Sequence, residues 1–293
     1  FIGGTLRVRD CPHSNATLTM PRLFFRGVTG VQPPAAGTLL CRPRLQARPH
    51  MPCPPASTEH PDAVHVEVHE PAVLDIVCSV PSLHPAVAVG PASGLSIVGL
   101  VLQDCQAHEQ GADNTGGGMV LWSTTGVSLS NVFVSRCQGR AGGGLSVLRS
   151  RQITLQNVTF VANRATERGG GGFVGESSDV RVTDCQWIHN VAPGGGGLAV
   201  QDSTTTLLRT QFEHNLATST GSGGGGLLLQ GLKTAATASE SRIAHNTAMF
   251  SCGGGLALAE TGSQLANVIR FSVVNGNEAH TGGGLCLTTS KLT

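Results

Sequence analysis

Phe160-Val-Ala-Asn163-Arg-Ala165-Thr-Glu-Arg-Gly169-Gly-Gly-Gly172-Phe173 decides how this chain folds. It joins an apolar-x-x-Asn-x-Ala element to a glycine run, and the same pairing recurs down the sequence. The Asn element returns as Trp187…Asn190…Ala192, Phe212…Asn215…Ala217, Ile243…Asn246…Ala248 and Val274…Asn277…Ala279. Two earlier copies carry cysteine in the Asn place: Leu102…Cys105…Ala107, and Val134…Cys137 with Gly139 for Ala. Glycine runs end at Gly118, Gly144, Gly172, Gly197, Gly226, Gly255 and Gly284, at spacings of 26, 28, 25, 29, 29 and 29. Of the first and third residues after these runs, such as Leu145 and Val147 or Phe173 and Gly175, thirteen of fourteen are apolar, so each run opens a short strand with period-2 burial.

Further period-2 stretches lie between the two elements: Val127 and Leu129, Ile153 and Leu155, Val180 and Val182. Helical i, i+3, i+4, i+7 spacing is missing, and three glycines in every coil would cost a helix ~1 kcal/mol each. A coil of two or three short strands, joined by glycine and Asn turns, meets the pattern. Stacked coils set each strand ~4.8 Å from its copy, and only a stack shares a continuous core. The sequence predicts an all-β parallel solenoid.

The recurrent residues then have physical reasons. Asn tolerates the left-handed turn conformation, and its amide can bond to the amide one coil away, so Asn163, Asn190, Asn215, Asn246 and Asn277 are expected to form a ladder. Recurrent glycine marks a corner with positive φ or close backbone stacking. Cys105 and Cys137 share the Asn position in neighbouring coils, which sets their Cα atoms ~4.8 Å apart, within disulfide reach. Parallel side chains would hold their Cβ atoms too far apart for a relaxed bridge. Two readings stay open, a strained disulfide or stacked thiols.

Residues 62–293 are read as the solenoid, clearest over 95–293. Segment 31–61 holds eight of the fifteen prolines and reads as a linker or insertion loop. Residues 1–30 form either one more coil or a cap. Both ends of the sequence read as ends of a fragment, with more of a larger chain expected on each side. The most nearly apolar run, Pro85 to Gln103, is broken by Pro91, Gly94 and Gly99, so no spanning helix is expected.

Composition narrows the chemistry. Glycine takes 40 of 293 positions, Tyr is absent and the formal net charge is +1, which suits neither disorder nor a general polyanion binder. Nine scattered cysteines contain no C-x2-C pair, which removes zinc and redox signatures. The only lysines are Lys233 and Lys291, and neither follows a glycine run as a phosphate loop requires. No cofactor is implied. Seven arginines within residues 1–49 face one acid, Asp10; that excess suits acidic glycans or anionic surfaces, while sparse aromatics argue against nucleic acid. Asn15 and Asn157 head glycosylation triplets.

Three constellations bear on activity. Polysaccharide cleavage needs clustered carboxylates, and Asp184 and Asp202 are the pair that stacking would best bring together. His189, His214 and His245 each precede a ladder Asn, so they should align in three coils as a weak metal candidate. His65, Glu67 and His69 share one face of an alternating strand and form a second weak candidate. In all three, solvated surface residues are the plainer reading, and no catalytic or metal site is assigned.

Phe160-Val-Ala-Asn163 and Phe212-Glu-His-Asn215, with Gly142-Gly-Gly-Leu145, Gly253-Gly-Gly-Leu256 and Gly282-Gly-Gly-Leu285, resemble the repeat of the chlamydial polymorphic outer membrane proteins. A third glycine stands where that family has alanine. The resemblance covers residues 95–293 and implies a right-handed parallel β-helix of pectin-lyase type. It also implies a passenger region, secreted or displayed at a cell surface (outer-membrane-associated in a bacterium), that meets glycans or proteins of other cells. The expected function is a non-enzymatic adhesin-like domain. The alternatives are a carbohydrate-active β-helix enzyme and a purely structural spacer.

Overall fold

A computed structural model describes residues 87–90, 93–107, 116–221, 223–260 and 267–288, and also places the backbone of short strands at Thr5–Leu6, Leu18–Thr19, Leu23–Phe25, Arg42–Leu45, His65–Val66 and Leu74–Val77. Among the described residues there is no helix. The coil that opens at Gly142 shows the plan. Its first strand is Leu145–Leu148, its second Arg151–Gln156, its third Thr159–Val161 and its fourth Arg164–Arg168. The sequence suggested two or three strands per coil; a short fourth follows the Asn corner.

Each strand pairs in parallel with its copies in the coils on either side, so four parallel sheets run along the stack, the fourth beginning only at Gln138–Ala141. Near residue 87 the pattern changes: Leu23–Phe25 pairs antiparallel with Val87–Val89, and Arg42–Leu45 pairs antiparallel with Leu74–Val77.

Alternate residues point inward and form one continuous core. Val147, Leu155 and Phe160 represent three faces of it in one coil and are all buried. Burying such a side chain stabilises by about 1.5–3 kcal/mol, and stacking repeats that gain at the same point of each coil. The third sheet carries the bulkiest column, where Trp187 stacks between Phe160 at 5.2 Å and Phe212 at 4.8 Å between ring centroids.

One register differs from the sequence reading. Gly172, not Phe173, pairs with Leu145 and Leu198, so Val174 enters the core and Phe173 points outward. The cause lies across the same coil. A Cβ on Gly172 would sit 3.2 Å from Leu198 and 3.4 Å from Nε1 of Trp187, so the indole takes the volume used elsewhere by leucine. Phe173 instead joins Ala199 and Leu228 in a small apolar cluster outside the first sheet, with the Arg168 guanidinium 5.8 Å from its ring centroid.

The glycine corners satisfy both expectations at once. Gly142 has φ +73°, and a Cβ on Gly143 would lie 2.3 Å from the carbonyl oxygen of Arg164 and 2.5 Å from that of Gly170. No side chain fits between backbones that close.

Candidate functional site

The Asn residues form the expected column, and its geometry is a complete hydrogen-bond circuit. Oδ1 of Asn190 accepts the backbone N–H of Asn163 at 2.9 Å and its Nδ2–H at 3.1 Å. Oδ1 of Asn215 does the same for Asn190, at 2.9 and 3.0 Å. Asn246 and Asn277 continue the series. The second Nδ2–H of each Asn donates to a carbonyl in the preceding coil, as Asn190 does to Phe160 at 3.0 Å. Buried amides this well paired are structural, because an unpaired one would cost about 1–3 kcal/mol.

The left-handed conformation, however, belongs to the residue before the Asn. Arg136, Ala162, His189, His214 and His245 have φ between 51° and 56° there. The physical reason is division of labour. The corner turns one residue early, which aims that side chain outward and leaves the Asn amide facing in.

Cys105 and Cys137 take the thiol reading, not the disulfide. Both are buried, their sulfurs donating to the carbonyls of Gln103 at 3.3 Å and Ser135 at 3.4 Å. Parallel side chains in register keep the sulfurs from turning toward each other. Among the described residues a disulfide instead joins Cys252 and Cys286, with Cα atoms 5.6 Å apart. Cys252 ends a fourth strand and Cys286 lies on the first strand of the next coil, a pairing between different sheets that column alignment does not suggest. Cys185 is also a buried thiol, pushed up to about 12 by burial and therefore unreactive at neutral pH.

Outside the core, the corners carry charged residues in columns. Asp184 is gripped by Arg209 of the next coil at 2.7 and 3.0 Å, and Asp104 by Arg136 at 2.6 and 2.9 Å. In each pair the guanidinium hydrogen bond holds the carboxyl below its usual range. Arg149–Glu176 repeats the arrangement at another corner, and Arg140–Glu167 and Arg242–Glu213 pair strand residues of successive coils. Sequence reading missed these pairs, although opposite charges one coil apart were a signal for them.

Asp184 and Asp202 do not meet. Asp184 turns the corner after a second strand, whereas Asp202 turns the one after a first strand and accepts the Lys233 N–H at 3.3 Å. The three histidines do align. His189 and His214 stack at 5.1 Å between ring centroids, and His214 and His245 at 5.2 Å, all exposed. Among the described residues no three metal-ligating side chains converge on one point. Asn157 sits at an exposed corner, where its Nδ2–H donates to Oδ1 of Asn131 at 2.7 Å. The side chain of His65, together with Glu67, His69, Asn15 and the arginines of residues 1–49, lies outside the described residues.

Residues 82–248 and, in a second match, 117–292 fit the family described as "Right handed beta helix region". The chain belongs to that family, and its solenoid is a right-handed parallel β-helix. No curated protein matches it. Among solved structures it is similar to the A-module of mannuronan C-5 epimerase AlgE6 from Azotobacter vinelandii, at 10% identity and TM-score 0.27, over 74% of this chain and 81% of that one. It is also similar to PfbA, a surface adhesin of Streptococcus pneumoniae, at 10% identity and TM-score 0.27, over 77% of this chain and 78% of that one. One neighbour is an enzyme module and the other an adhesin, and at that level of similarity neither bears on activity.

Proposed function

We propose that this chain is a non-enzymatic repeat domain, secreted or displayed at a cell surface, whose solenoid flank contacts glycans or proteins of other cells. The observation that carries the reading is the use of the acids. Asp104, Glu167, Glu176, Asp184 and Glu213 each pair with an arginine in a neighbouring coil, an arrangement that stiffens a flank. Carbohydrate cleavage would require carboxylates free to converge on a sugar. The Cys252–Cys286 disulfide favours an oxidising compartment, and the likeness to the chlamydial outer-membrane repeats points the same way.

The test is a pair of assays on the purified chain. No eliminative or hydrolytic turnover is expected on pectic or other acidic polysaccharides, with or without Ca²⁺. Binding to cells or glycans should survive Asp184→Ala and Asp202→Ala, singly and together. Turnover abolished by either substitution would overturn the proposal in favour of a carbohydrate-active enzyme.

A further inference from the structure

Two charged pairs of the exposed corners neutralise one another between coils, Asp184 with Arg209 and, earlier in the column that holds the histidines, Asp104 with Arg136. The His189–His214–His245 row has no such internal partner. Its three rings lie face to face, and among the described residues no hydrogen bond or ion pair engages their nitrogens. The carboxylate next in sequence to the row, Glu213, is held by Arg242 at 2.7 Å. Small residues bracket the row, with Ala162 one coil before His189 and Gly276 one coil after His245. A Cβ on Gly276 would fall 2.6 Å from the His245 ring, so that ring occupies space which any larger residue would fill.

We infer that adjacent histidines of this row hold a divalent transition-metal ion such as Zn²⁺ between two imidazoles of successive coils, with water completing the coordination. Neutral imidazole is a good ligand for such ions, with metal–nitrogen distances of about 2.0–2.1 Å. Two tetrahedral ligand nitrogens are then about 3.4 Å apart. Rings stacked at 5.1 and 5.2 Å on exposed corners reach that separation by turning about their side-chain torsions, with the backbone left in place. His214 belongs to both possible pairs, and His189 and His245 are two coils apart. The row therefore holds one ion at a time, and His214 is always one of its ligands.

Zn²⁺ titration of the full 293-residue chain by calorimetry tests this, because the remaining histidines contribute equally in every variant. His214→Ala should abolish one equivalent of binding, a loss of at least tenfold in affinity for that site. His189→Ala and His245→Ala each leave one adjacent pair, and should weaken binding only about twofold. Ala162→His should lengthen the row to four and raise its capacity from one ion to two. Unchanged binding in His214→Ala, equal losses in all three alanine variants, or a capacity unmoved by Ala162→His would each overturn the inference.

Discussion

Two columns one residue apart, Asn190–Asn215–Asn246 and His189–His214–His245, share the same coils and meet opposite constraints. The Asn column is at most 1% exposed, and every amide spends its donors and acceptors on the coils above and below. The column before it is exposed and must only accept a positive φ, so it also holds Asp104, Arg136 and Ala162. Burial is what separates them. Inside, a residue is chosen by hydrogen-bond count; outside, by backbone geometry, which leaves its chemistry free.

The strongest way to break this contrast is at the core. Trp187→Ala removes the middle ring of the aromatic stack and should cost about 3–5 kcal/mol in urea melts, against less than ~0.5 kcal/mol for Gln186→Ala on the outward face. Similar losses for the two would mean that the inward face does not carry the stability.

Next comes the pair of columns itself. Asn215→Leu strips the acceptor from the backbone N–H and Nδ2–H of Asn190, and should destabilise by about 1–3 kcal/mol. His214→Ala, one residue away, should stay within ~0.5 kcal/mol. Matching effects would mean that burial does not separate the two columns.

The smallest effect concerns the outer ion pairs. Arg209 and Arg136 hold Asp184 and Asp104 below their ordinary value of 3.8. A lowered carboxyl value stabilises the fold above the unfolded-state value and loses that contribution as pH falls through the folded one. Arg209→Gln should therefore reduce slightly the acid sensitivity of stability below about pH 4, and leave stability at pH 7 almost unchanged because the pair is exposed. A large change at pH 7 would show that the outer columns carry more of the fold than their exposure suggests.

The periodic part of this architecture was readable in the sequence, because stacking forces like residues to recur. Asn163 to Asn277 announced their column through spacing alone. What escaped has physical causes. The residue carrying positive φ differs by one from the ladder Asn, since many residue types tolerate the turn and only the inward one is selected by type. Phe173 misled because a run of four glycines hides which one is the strand residue, and the answer lies in the bulk of Trp187. The Cys252–Cys286 link crosses between sheets, and Asp184 and Asp202 separate at different corners; neither follows from position along one strand.

The Asn ladder also bears on how such a molecule changes over generations. Each ladder amide bonds to the next Asn and to a carbonyl that every coil repeats, so a whole coil duplicated into the stack would find every donor and acceptor matched at both new junctions. A gain of half a coil would match none. Reach along the axis is thus a quantity that heredity can adjust in steps, one coil at a time, while the cross-section is held constant by the fit of each coil to the next.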